Sequence, residues 1–85
     1  MTWQLRIARR VQKQLVRLPA NDQRRLLAAV DAMCVNPFAD DLVRLRSERA
    51  AWRRRVGAYR IFFDVRTDER VVDVVEISRR TSTTY

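Results

Sequence analysis

A single glycine constrains this chain more than any other residue. Gly57 and Ala58 separate two β-rich runs, residues 51–56 (AWRRRV) and 59–65 (YRIFFDV). A Gly-X pair between two such runs predicts a two-residue hairpin, because glycine accepts the positive φ of a type II′ turn. Closing the hairpin there fixes the register. Val56 faces Tyr59, Arg55 faces Arg60, Arg54 faces Ile61, Arg53 faces Phe62 and Trp52 faces Phe63. Side chains alternate between faces. One face then carries Trp52, Val56, Tyr59, Ile61 and Phe63, a core surface in which Arg54 is the misfit. The other face gathers Arg53, Arg55, Arg60 and Phe62. Like charges directly opposite in a sheet cost some tenths of a kcal/mol, up to about 1. Such a cluster suits a polyanion: guanidiniums make charge-assisted hydrogen bonds to phosphate oxygens, and Phe62 would offer a stacking face to an unpaired base. The bland alternative is a solvated face neutralised by carboxylates such as Asp64 and Glu76.

The rest of the chain supplies a partner layer for the core face. Residues 2–7 alternate Trp3, Leu5 and Ile7 with polar positions, as a half-buried strand does. From residue 8 to 18 the period changes, and Val11, Leu15 and Leu18 mark one face of a helix. Pro19 interrupts, and Asn21 or Asp22 is placed to cap a second helix. That helix carries Leu26, Leu27, Val30, Met33 and Cys34, and Asn36-Pro37 ends it. Leu42, Val43 and Leu45 suggest a short extended piece. Residues 67–69 make a turn, and residues 70–77 (RVVDVVEI) read as a strand covered on both faces. The expected fold is α+β in β-α-α-β-β-β order: an antiparallel-rich sheet with a helical hairpin packed on one face. No repeat, low-complexity tract or linker interrupts residues 1–85, which read as one domain.

Composition narrows the function. The 85 residues carry 18 basic and 10 acidic side chains, a net charge of +8, and no histidine. Of the basic residues only Lys13 is a lysine; the excess of arginine points to nucleic acid or an acidic protein, although a GC-rich genome also enriches Arg and Ala. Without histidine, Ser-His-Asp, Cys-His and two-histidine mechanisms are excluded. A zinc site would rest on Asp and Glu with a single cysteine, so no metal or cofactor is expected. Cys34 has no partner for an internal disulfide and reads as a core thiol. No run approaches the ~20 apolar residues of a membrane span, and the N-terminus lacks the apolar stretch of a signal peptide. A cytoplasmic domain with no membrane partner is the expectation.

The C-terminal segment extends the basic theme. Ser78, Arg79 and Arg80 are followed by residues 81–84 (TSTT) and Tyr85. Leaving the last strand, this tail would turn back over the arginine face and place Arg80 and Tyr85 there.

The block WRRRVGAYRIFFDV, the valine-rich strand after it and the closing ISRRTSTTY resemble the RelE/ParE superfamily of type II toxins. The opening strand, the helix pair broken at Leu18-Pro19 and the Asn36-Pro37 step fit as well. The resemblance implies a toxin neutralised by a cognate antitoxin. In the RelE-like branch such toxins enter the ribosomal A site and cut mRNA, the 2′-hydroxyl attacking the neighbouring phosphate. The residues that match that branch's machinery are Arg53, Arg55, Arg60, Arg80 and Tyr85. By residue type, Arg60 and Arg80 would hold the scissile phosphate and Arg53 and Arg55 the backbone and leaving oxygen, with Arg79 a further RNA contact or the substitute for Arg80 in that match. Tyr85 would orient the 2′-hydroxyl, move a proton or stack a base. Arginine, with a pKa above about 12, is a poor general base, which leaves Tyr85 and nearby acids such as Glu48 as proton acceptors. The alternatives are a ParE-type poison of DNA gyrase and a toxin-like domain that only binds.

Overall fold

A computed structural model describes residues 3–39, 42–46 and 50–79. Two helices cover one face of a five-stranded sheet. The elements run β1 (Gln4–Ile7), α1 (Arg9–Leu15), α2 (Ala20–Val35), β2 (Leu42–Arg44), β3 (Trp52–Val56), β4 (Tyr59–Arg66) and β5 (Val71–Arg79). The strand order is β1-β5-β4-β3-β2. Among the described residues only β1 lies parallel to its neighbour, β5; the other pairs are antiparallel. The expected α+β fold is therefore present, and the extended piece near Leu42 forms an edge strand, β2.

Apolar periodicity explains the core. Val11 and Leu15 of α1 and Leu26, Val30 and Met33 of α2 pack onto Ile61, Phe63, Val72, Val74 and Ile77 of the sheet. Phe63, Leu26 and Met33 are among the largest fully buried side chains. Leu27, expected on the buried side of α2, is instead 40% exposed. It follows Leu26 by about 100° of helical rotation, enough to carry it off the core stripe. The cap of α2 also differs from expectation: Pro19 is the N-cap, with no side-chain cap bond. Asn21 accepts a hydrogen bond from Arg24 and Asp22 one from Tyr59, so neither is occupied in capping. The helix ends where expected, with Asn36 extended and its side-chain oxygen accepting from Phe38 N at 3.0 Å.

The hairpin register matches residue for residue, from Trp52↔Phe63 to Val56↔Tyr59. Gly57 has φ +58°, and Ala58 does not share a positive φ, as a type II′ turn requires. Arg54, the misfit on the core face, reaches α2 and donates to Ala29 O at 3.4 Å.

One irregularity sets the rest of the geometry. Phe62 pairs with Glu76 but Phe63 pairs with Val74, so Val75 is an extra residue bulged out of β5. Beyond Val74 the strand has left its pairing with β1, and α1 covers the open edge. Arg10 donates to Val75 O at 3.2 and 3.3 Å, and Gln14 donates to Ile77 O at 2.6 Å. These side chains satisfy carbonyls that would otherwise invite another strand. Among the described residues no helix is long and apolar enough to cross a membrane.

Candidate functional site

The outer face of the sheet, opposite the helices, carries the arginine cluster. Arg53 and Arg55 project from β3, and Arg60 from β4 faces Arg55 directly. Because Val56 and Tyr59 close the two-residue turn, the next pair, Arg55 and Arg60, occupies the close-approach position of the ladder. There Cα atoms stand about 4.5 Å apart. Arg55 is exposed, while Arg53 and Arg60 are half-buried. The side chains of Arg53 and Arg55 make no hydrogen bond or ion pair among the described residues.

The carboxylates nearest this face have partners of their own. Asp64 accepts from Ala51 N at 2.7 Å. Asp73 lies 3.1 Å from Arg66 and 3.9 Å from Arg6. Glu76 pairs with Arg10 at 3.4 Å. Charge on the face is thus segregated. Asp64 and Asp73 lie toward the far end, Glu76 lies mid-sheet opposite Phe62 and reaches Arg10, and the end nearest the Gly57 turn is basic.

Two expected members of the site are placed differently. Phe62 sits on the arginine face by register, but it is only 8% exposed. It lies mid-sheet between Arg53 and Glu76, both long side chains, and is packed rather than open to a base. Arg79 pairs across from Tyr59 on the helix side of the sheet, its guanidinium 5.9 Å from the Tyr59 ring. The bulge at Val75 shifts the alternation, so Ser78, opposite Arg60, shares the outer face and Arg79 does not. Arg80, Tyr85 and Glu48 lie outside the described residues.

A contact not expected from the sequence braces the basic end. Tyr59 is buried, and its hydroxyl donates to Asp22 Oδ2 at 2.8 Å, tying the hairpin to the first turn of α2. That bond, reinforced by burial, raises the phenol above its ordinary pKa. Arg25, also on α2, lies against the turn: a Cβ on Gly57 would come within 2.5 Å of its Nη2. A signal was present, since a tyrosine in a core stripe must find a partner for its hydroxyl. Elsewhere, burial and nearby Asp31 push the half-buried Cys34 thiol up, which makes it a poor nucleophile near neutral pH. No group of three or more His, Cys, Asp or Glu that could hold a metal occurs among the described residues.

Residues 5–83 match the family of ParE toxins of type II toxin–antitoxin systems, parDE. A Methanocaldococcus jannaschii protein named as toxin RelE1 is 29% identical over 83 residues, covering 94% of this chain and 92% of the relative. Among solved structures, the archaeal RelE–RelB complex from Pyrococcus horikoshii superposes with a TM-score of 0.84 at 26% identity, over 98% of this chain and 100% of that one. The isolated Escherichia coli RelE toxin shares the fold, with a TM-score of 0.80 at 17% identity over 96% of this chain and 88% of that one. Near full-length agreement in both sequence and fold shows that the chain belongs to the ParE toxin family, within the RelE/ParE superfamily, and is a toxin of a type II toxin–antitoxin system with a RelE-like structure.

Proposed function

We propose that this toxin is a ribosome-dependent mRNA endonuclease of the RelE type, acting in the cytoplasm as a single domain and held inactive by a cognate antitoxin. The observation that carries the reading is the arginine face: three guanidiniums on one sheet surface, with Arg55 and Arg60 directly opposed. Their carboxylate neighbours Asp64 and Asp73 are engaged elsewhere. A single-stranded RNA in the A site would lie across this face. The 2′-hydroxyl gives up its proton and attacks the adjacent phosphate, a 2′,3′-cyclic phosphate forms, and the bond to the 5′-oxygen breaks, that oxygen taking a proton from water to leave as a 5′-hydroxyl. Arg60 stabilises charge on the non-bridging oxygens as it develops, and Arg53 and Arg55 hold the backbone and leaving oxygen. Arg80 completes the phosphate grip and Tyr85 orients the 2′-hydroxyl; Tyr85 and Glu48 are the candidate proton acceptors. The RelE–RelB complex among the similar structures supports an antitoxin partner.

The second reading, a ParE-type poison of DNA gyrase, is favoured by the family description itself. Two assays run side by side decide. Purified toxin added to a translation extract is expected to produce new mRNA 5′ ends on ribosome-bound message, seen by primer extension. Intact message together with accumulation of gyrase-linked DNA breaks would reverse the assignment.

A further inference from the structure

A groove of about 640 Å³ runs between α1 and the part of β5 that β1 leaves unpaired. Leu18 and Ile77 supply its apolar lining; Arg10, Lys13, Gln14 and Arg17 line it from the α1 side and Glu76 from β5. Arg10 and Gln14 are committed to carbonyls of β5, and Arg10 also to Glu76. Lys13 and Arg17 are different. Both are exposed, four residues apart, and neither side chain has a hydrogen bond or ion pair among the described residues. Glu76 faces Phe62 by register, so the groove begins where the arginine face ends.

We propose that this groove is a second phosphate-binding site, which takes the sugar–phosphate backbone of the RNA strand as it leaves the arginine face. The inference rests on the RNA-cleaving reading and extends it to nucleotides flanking the cut. A nucleic-acid strand carries one charge on every unit, which suits a basic track continuing around a sheet edge. Three cations line the groove against one carboxylate, Glu76, which Arg10 already pairs, so the balance of charge favours a polyanion that meets Lys13 and Arg17 in succession.

The test is binding of a single-stranded uridine oligonucleotide to the full chain at several salt concentrations, read by fluorescence anisotropy. Each phosphate contact adds about 0.7 to the slope of log K against log salt for a single strand. The double variant Lys13→Ala/Arg17→Ala is therefore expected to bind several-fold more weakly at low salt, with a slope flatter by about 1.4. Arg17→Lys, which keeps the charge, is expected to retain the wild-type slope. Both positions are exposed, and far-UV circular dichroism checks that the double variant is folded. An unchanged slope, with binding still lost in Arg53→Ala/Arg55→Ala, overturns the groove and leaves the arginine face standing. A double variant that keeps its RNA slope but loses affinity for the antitoxin overturns it in favour of a protein site. Absence of oligonucleotide binding by the wild type overturns the groove as a backbone site, while the RNA-cleaving reading stands or falls on cleavage of ribosome-bound message in the translation extract.

Discussion

Arg60 carries the strictest expectation at the scale of single residues. If it stabilises charge that appears only in the transition state, Arg60→Ala should lower the cleavage rate by about 10²–10³, as loss of one oxyanion donor does. Primer-extension time courses would show this with message binding much less affected. A nucleic-acid grip alone would weaken binding and rate together. Tyr59 gives a second expectation with a defined sign. Its neutral hydroxyl is the donor to Asp22, so the folded chain holds that proton more tightly than the unfolded chain. The stabilisation is complete below about pH 10, the unfolded phenol value, and is lost as pH rises through the higher folded value. Tyr59→Phe should lower the urea midpoint at pH 8 and remove the extra loss seen at pH 11. The arginines were legible in the sequence because a two-residue loop leaves no freedom of register. The Tyr59–Asp22 bond was not, because it joins residues 37 apart and depends on how α2 crosses the sheet.

Elements were legible where periodicity was clean. Val11, Leu15 and Leu18, or Leu26, Val30 and Met33, can satisfy only a helix against a core, and Gly57 admits only a turn. Gly57→Ala places a Cβ at φ +58° and forces Arg25 aside. About 1–2 kcal/mol of destabilisation is expected from the left-handed backbone, measurable by urea unfolding. β5 was harder to read. Valine at 71, 72, 74 and 75 hides the alternation that would reveal which residues face inward. The clue lay in spacing: Val74 and Ile77 are both in the core, three residues apart, which a regular strand of period two cannot arrange. The bulge at Val75 resolves that conflict, and Arg79 goes to the helix side as a result.

At the scale of the whole molecule, one small core must hold a surface with a net charge of +8. Phe63 is fully buried where the helices meet the sheet. Phe63→Ala should cost about 3–5 kcal/mol, a large share of the roughly 5–15 kcal/mol that stabilises domains generally. Thermal unfolding is expected to show a midpoint lowered by at least about 10 °C for the variant. The bulge also bears on how the chain tolerates changes of length. β5 is one residue longer than its ladder with β4 requires. A chain missing one valine of the 74–75 pair would pair without irregularity, with Ile77 still inward and Ser78 still outward. Removing one residue between Glu76 and Arg79 has no such compensation, since every position beyond it reverses parity. Spare length in this strand is therefore confined to a single point, and shortening is neutral for the arginine face only there.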